Sequence, residues 1–350
     1  MTKHAAALLG LVSLALLASC GRDDASGGGA KEVVLYSSVD DVLLREVVAV
    51  YEKETGVRVL VVGDTEATKT TGLVQRLIAE KGNPRADVWW SSEPFGSILL
   101  SKEGVLAPYT SQSAESHFED GWPKELRGSK GDWYAFAQRA RVIAYSEERV
   151  ETPPRTLAQL GEPEWTGRIG MARPEFGTTR GQMGALLDAW GEKAYDVWLL
   201  GLEYRKVRLY DGNSAVVRAI AQGEIDVGLT DTDDVWAAQR QGWRVALAYE
   251  SIDPDAGQGR LPSLGAMVVP NTVALVAGGP HPDQGKALID FLLSPRVESL
   301  IAASDSGNMP VIPGVASDPA HEIENPWRPD LEKVAGSVAE AVERFEQRVE

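Results

Sequence analysis

Gly223-Glu224-Ile225-Asp226-Val227-Gly228-Leu229-Thr230-Asp231-Thr232-Asp233-Asp234-Val235-Trp236 runs an apolar stretch straight into three closely spaced carboxylates. Ile225, Val227 and Leu229 alternate with Asp226, Gly228 and Thr230, a period of two that predicts a short strand. Trp236-Ala237-Ala238-Gln239-Arg240 then continues as a helix that Asp233 or Asp234 is placed to cap. A strand that turns into a helix is the building unit of an α/β sheet, and ligands of such sheets bind at the strands' carboxyl ends. Carboxylates crowded there raise one another's pKa unless a cation or a donor offsets the repulsion. The cluster is therefore a candidate cation site; the plainer alternative is one capping aspartate and two solvated ones.

The same arrangement recurs earlier in the chain. Glu32-Val33-Val34-Leu35-Tyr36 is an apolar run that delivers Ser37, Ser38, Asp40 and Asp41 to its end. Leu43, Val47, Val50 and Tyr51 follow at helical spacing up to Gly56, a helix stop, and Val57 to Val62 reads as the next strand. Thr65 to Thr71 lacks the spacing of a phosphate loop and reads as a helix cap. Ala86-Asp87-Val88-Trp89-Trp90-Ser91-Ser92-Glu93 is a third strand that ends in hydroxyls beside an acid. A parallel sheet would gather these ends on one edge.

Two extended runs are too long for ordinary strands. Trp133 to Tyr145 and Gly265 to Val276 each exceed the mean strand of about 5 to 6 residues, which suits strands crossing between two lobes. Arg139 and Arg141 share one face of the first and are placed either to neutralise the acidic site or to form ordinary surface ion pairs. Gly177, Thr178 and Thr179 precede the helical run Met183, Leu186, Leu187 and Trp190, where free backbone N–H groups can meet an anion or a hydroxyl. Leu209 to Ser214, with Asn213, caps a further helix, and Leu331 to Glu350 reads as a terminal amphipathic helix.

The 350 residues suffice for about two domains, and 43% hydrophobic composition is ample for packed cores. A net charge of −16 argues against a nucleic-acid partner, which needs a basic face. Lys3, the apolar run Ala5 to Leu17 and Leu17-Ala18-Ser19-Cys20 read as an export segment with a processing site. Cys20 is the only cysteine, so no intramolecular disulfide or cysteine metal cluster is possible. Gly21 to Ala30 reads as a flexible tether.

Val34 to Ser38, Arg85 to Glu93, Arg139 to Tyr145, Trp165-Thr166-Gly167-Arg168-Ile169-Gly170 and Gly223 to Asp226 follow one another in a fixed order. In that order and spacing they resemble the bacterial extracellular solute-binding proteins of ATP-binding-cassette importers, in the branch that includes periplasmic ferric-ion-binding proteins. The resemblance implies an α/β, two-lobed periplasmic-binding-protein fold with two crossing hinge strands and a ligand cleft between the lobes. The expected organisation is a lipoprotein signal peptide at 1–19, a tether at 20–30, the first part of lobe 1 at 31–138 and lobe 2 at 139–266. Lobe 1 returns at 267–310, and 311–350 forms a C-terminal helical segment. Leu-Ala-Ser-Cys resembles a lipobox, which implies lipidation at Cys20 and a membrane reached through that anchor alone, in the periplasm or at the cell surface.

The resemblance also implies a ligand set. The adjacent tyrosine ligands of the iron proteins fall at Asp233 and Asp234, their histidine at Asp40 and their glutamate near Glu93. The expected metal ligands are thus Asp40, Glu93, Asp233 and Asp234, within a wider ligand-binding set of Ser37, Ser38, Ser92, Gly177, Thr178, Thr179, Asn213 and Asp231. Losing the phenolates removes a strong preference for ferric iron, but an all-oxygen set still suits a hard cation. The expected partners are a permease with its ATPase and a small cationic ligand. No resident cofactor is expected, because the metal is cargo, with a synergistic anion allowed beside it.

Two other readings compete. A polyamine or thiamine-like organic cation could be held by the acids, with Trp89, Trp90 or Trp236 stacking on it. A hydrolase would use two of the acids as proton donor and base, but nothing in the sequence sets a pair at a defined separation. A Ser-His-Asp order and an HExxH zinc helix are both absent, which favours binding over catalysis.

Overall fold

Two strands longer than the rest organise the molecule, which the computed structural model describes over residues 31–64, 70–253 and 261–349. The export segment, the tether, Cys20 and most of the threonine run lie outside the described residues. The first half contributes β1 (Glu32–Ser37), α1 (Asp41–Thr55), β2 (Arg58–Gly63), α2 (Thr71–Ala79), β3 (Val88–Ser91), α3 (Pro94–Lys102), β4 (Leu106–Ala107) and α4 (Gln112–Glu115). After β5 (Tyr134–Ser146) come β6 (Ile169–Ala172), α5 (Gly177–Trp190), α6 (Glu192–Tyr204), β7 (Arg208–Tyr210), α7 (Asn213–Gln222), β8 (Val227–Asp231), α8 (Thr232–Arg240) and β9 (Val245–Ala248). The chain closes with β10 (Ile252–Asp253), β11 (Ser263–Leu264), β12 (Ala266–Val276), α9 (Pro282–Leu292), α10 (Pro295–Ala303), β13 (Pro326–Trp327), α11 (Leu331–Val334) and α12 (Val338–Val349).

The main sheet runs β2-β1-β3-β12-β5-β8-β6-β7. β1 pairs in parallel with β2 and β3, and β6 pairs in parallel with β7 and β8, so each end of the sheet is a wound α/β half. β5 joins the halves. Its residues 134–140 pair with β12 and its residues 141–146 with β8 and β9, all antiparallel. This is the two-lobed architecture, and the long runs are its crossing strands.

Helices cover both faces of each half, which gives four apolar clusters. Leu35, Val47, Trp90 and Ile301 pack on one face of the first half, and Trp89, Leu77, Phe95 and Val269 on the other. Met171, Leu186, Trp198 and Leu229 pack on one face of the second half, and Val142, Val216, Ile220 and Val235 on the other. Double coverage explains why β8 is buried at every residue although its sequence alternates.

The crossing is irregular where the lobes meet. The β5–β12 register shifts between Pro270 and Asn271, and Ala137 beside it takes φ +44°. That left-handed conformation costs an alanine about 1–2 kcal/mol. Neighbours hold it in place: Ala137 N donates to Glu298 Oε1 at 3.0 Å, and Asn271 Nδ2 donates to the Ala137 carbonyl at 2.7 Å.

Two local expectations are corrected. The terminal helix is two helices, α11 and α12, because Ala335 to Ser337 form a turn around Gly336, a poor helix former. Val334 and Val338 pack on the first half, whereas Ala341 and Phe345 pack on the second. Thr70 precedes α2 without capping it, and its hydroxyl donates to Ser38 Oγ at 3.1 Å.

Candidate functional site in the cleft between the lobes

Asp231 ends β8 only 2% exposed. β5 lies antiparallel beside it with Arg141 directly opposite, and strand alternation turns Arg139 to the same face. Arg141 Nη1 donates to Asp231 Oδ1 at 2.8 Å, and Arg139 Nε donates to Oδ2 at 3.2 Å. Thr178 Oγ1 and Asn213 Nδ2 also donate to Oδ2, at 2.7 and 3.0 Å. One carboxylate thus ties together the crossing strand, the start of α5 and the start of α7.

Burial alone would push the Asp231 carboxyl up, but the Arg141 and Arg139 guanidiniums outweigh it and hold it below the usual range. Burial likewise opposes the charge on Arg139, and Asp233 and Asp231 reverse that effect. Arg139 also donates to the Ser92 carbonyl, so it spans from one lobe to the other. The two arginines are interior partners of the acid, not surface ion pairs.

The remaining acids form the rim. α8 begins at Thr232, so Asp233 and Asp234 lie in its first turn and neither is its N-cap residue, although Asp233 Oδ1 accepts from Asp234 N at 3.1 Å. Asp231 is the N-cap residue, but without a side-chain cap bond. Asp233 Oδ2 is 3.4 Å from Arg139 Nε, and Thr230 Oγ1 donates to Asp234 Oδ2 at 3.1 Å. Carboxylate oxygens of Asp231, Asp233 and Asp234 lie within 4.8 Å of one another. Across from them stands Asp40, the N-cap residue of α1, which makes no side-chain cap bond either.

These groups surround a cavity of about 50 Å³. Asp40, Ser92, Gly177, Thr178, Thr179, Asn213, Asp231, Asp233 and Asp234 all line it. The hydroxyls of Thr178 and Thr179 are engaged with Asp231 and Arg141, so the start of α5 holds Arg141 against Asp231. Asp40, Asp211, Asp231, Asp233 and Asp234 against Arg139 and Arg173 leave the wall acidic.

Three expected residues are not brought there. Glu93 is the N-cap of α3: its carboxylate accepts from Phe95 N at 2.6 Å and Gly96 N at 2.9 Å, and both oxygens are thereby committed. Burial raises its pKa, which the two backbone donors only partly offset. It caps α3 and is not among the residues that line this cavity. Ser37 Oγ accepts from Val39 N, and Ser38 Oγ bonds within a buried hydroxyl cluster with Ser91, Ser92 and Thr70. Both serines lie behind the cavity wall. Trp89 and Trp90 are fully buried core residues and cannot stack on a cargo. Arg173, Asn271, Ser306 and Asn308 also line the cavity and are marked by no motif or periodicity that singles them out.

Comparison with known proteins shows the family and the fold. Residues 33–304 match the family described as bacterial extracellular solute-binding protein. The chain is 27% identical over 323 residues to iron uptake protein A1 of Synechocystis sp., covering 87% of this chain and 84% of that one. It is 24% identical over 296 residues to the Fe(3+)-binding periplasmic protein of Serratia marcescens, covering 82% and 81%. The fold superposes on iron-bound HitA from Pseudomonas aeruginosa with a TM-score of 0.78 at 23% identity, over 91% of this chain and 99% of that one.

Proposed function

We propose, on the premise that this chain belongs to the bacterial extracellular solute-binding proteins, that it captures a hard metal cation, iron(III) foremost, and delivers it to an importer. Its role is binding, in a family of solute-binding proteins. The observation that carries the cargo is the convergence of Asp231, Asp233 and Asp234 within 4.8 Å beside Asp40. Asp231 is already balanced by Arg139 and Arg141. Arg139 also lies 3.4 Å from Asp233, so three carboxylates face two guanidiniums, and the excess negative charge draws a cation, with Asp40 closing on it from the other lobe. All donors are oxygens, the preference of hard cations. Two relatives named for iron support the choice of metal.

Volume separates this reading from an organic cation. A water needs roughly 10–15 Å³ of such space, so about 50 Å³ holds an ion with a few waters. A polyamine or a thiamine-like ring would need a pocket of ~300 Å³ or more. The lobes are assigned as 31–138 with 267–310 and as 139–266, closing on cargo about β5 and β12. The permease and its ATPase are the partners, and Cys20 is assigned as the site of a lipid anchor that keeps the protein at the membrane.

The test is calorimetry with iron(III) supplied as its citrate complex, alongside spermidine and thiamine. Asp233→Asn with Asp234→Asn keeps side-chain size and removes charge, and should weaken iron binding at least ~100-fold, or ~2.7 kcal/mol, with an unchanged circular dichroism spectrum. A double variant that binds iron as tightly as wild type places the site elsewhere. Tight binding of either organic cation reassigns the cargo.

A further inference from the structure

Part of the cavity wall comes from neither the acidic cluster nor the arginine pair. Asn271 on β12 and Ser306 and Asn308 on the segment after α10 complete it. Asn308 is 3% exposed, and its carboxamide oxygen has no hydrogen-bond partner among the described residues. Native folds tolerate few such groups, because a buried acceptor left unmade keeps its full desolvation cost.

The segment carrying Asn308 is firmly held, so the unmet oxygen does not come from a loose loop. Gln138 N donates to the Met309 carbonyl and Met309 N to the Gln138 carbonyl, both at 2.6 Å, which fixes the next residue to the crossing strand. On the other side, Gly307 takes φ +57° against His321, where an added Cβ would meet Nδ1 at 2.5 Å. His321 in turn stacks on Trp236 of α8 at 4.0 Å between ring centroids. Asn308 is thus clamped into a wall it shares with Asp231, Asp233 and Asp234.

We propose that Asn308 is a cargo-binding residue: its carboxamide oxygen accepts a hydrogen bond from water carried on the bound cation, so the site takes a partly hydrated ion. This rests on the cation-cargo reading. Water on a metal ion is polarised and donates strongly, and a neutral amide oxygen can receive it without adding repulsion to a wall rich in carboxylates. The cavity of about 50 Å³ leaves room for such waters. Asn308 therefore selects against cargo that presents no donor, since its oxygen would then stay unpaired.

Asn308→Leu keeps similar bulk and removes the acceptor, and Asn308→Asp keeps an oxygen. Iron(III) supplied as its citrate complex is titrated into wild type and both variants by calorimetry, and each apo protein is melted. Asn308→Leu should bind about tenfold more weakly, and its apo form should melt at the same or a higher temperature, because a costly orphan is gone. Asn308→Asp should bind at least as tightly as wild type, because it keeps an oxygen and adds charge that favours a cation. Undiminished binding by Asn308→Leu, an equal loss in Asn308→Asp, or a lower melting temperature for apo Asn308→Leu overturns the assignment while the cation-cargo reading stands. A wild-type protein that fails to bind iron(III) overturns both, and the wild-type titration tells the two cases apart.

Discussion

Arg141 Nη1 lies 2.8 Å from Asp231 Oδ1 across the paired strands β5 and β8, with the two side chains 1% and 3% exposed. Arg139 reaches the other oxygen, so a single interior carboxylate serves two guanidiniums. Breaking such a group from one side strands the remaining charges away from water. Asp231→Asn should therefore destabilise the fold by about 3–5 kcal/mol, the cost of leaving a buried charge uncompensated. Urea denaturation at neutral pH measures it, and a loss below ~1 kcal/mol would show that the arginines find other partners.

The same pair makes a statement about acid. The folded pKa of Asp231 is depressed by its arginines, so its contribution is present above the unfolded value of about 3.9 and is lost as pH falls through the folded value. Acid titration of wild type should show this loss, and Asp231→Asn should lack it. Parallel acid unfolding of the two proteins would remove Asp231 from the account.

Glu298 offers a second interior test. Its carboxylate accepts from Ala137 N, Val311 N and Ile312 N and fixes the left-handed turn of the crossing strand. A glutamine must set an NH₂ group against at least one of those donors. Glu298→Gln should cost about 1–3 kcal/mol and increase amide exchange around Ala137 above all. Wild-type exchange rates at Ala137, Val311 and Ile312 in the variant would count against this role.

The fold was largely legible because its signals are local. Alternation over Trp133 to Tyr145 and Gly265 to Val276, combined with excess length, marked the crossing strands that the structure contains as β5 and β12. Asp233, Asp234 and Asp40 were legible for a similar reason: each follows directly from a strand end. Glu93 followed a strand end too, but which way its carboxylate turns depends on the free N–H groups of α3, and a helix start claimed it. Asn308 was invisible, because its place in the wall comes from long-range pairing of Met309 with Gln138, which leaves no periodicity in the sequence. Arg139 and Arg141 were seen on one face, yet only the pairing of β5 with β8 shows that they meet Asp231.

The anchor can be tested apart from the cleft. Cys20 ends an apolar run with Leu-Ala-Ser before it and is the residue on which the proposed anchor rests. Wild-type protein expressed in a bacterial host should fractionate with membranes and carry an acyl mass. Cys20→Ala should appear soluble or unprocessed. Fully soluble wild-type protein without added mass would remove the anchor and leave the cleft chemistry untouched.

Glu250 gives the opposite pH sign. It is buried beside the β10–β11 hairpin, where Ser263 Oγ donates to its Oε1 at 3.2 Å. Burial pushes its carboxyl up to about 8, and hydrogen bonds from Leu157, Ser263 and Leu264 only partly oppose the shift. A raised folded pKa means that the protonated form is the one the fold prefers. Stability from this group is fully present below the unfolded value of about 4.3 and declines as pH rises through the folded value of about 8. Glu250→Gln keeps a carbonyl oxygen for Ser263 and cannot ionise, so it mimics the protonated state at every pH. Thermal melts between about pH 5 and 9 should show wild type losing stability while the variant stays flatter, with the variant the more stable of the two at the alkaline end. Two melting curves that fall in parallel would mean that Glu250 ionises in the fold without penalty, and that water reaches the carboxylate behind the hairpin.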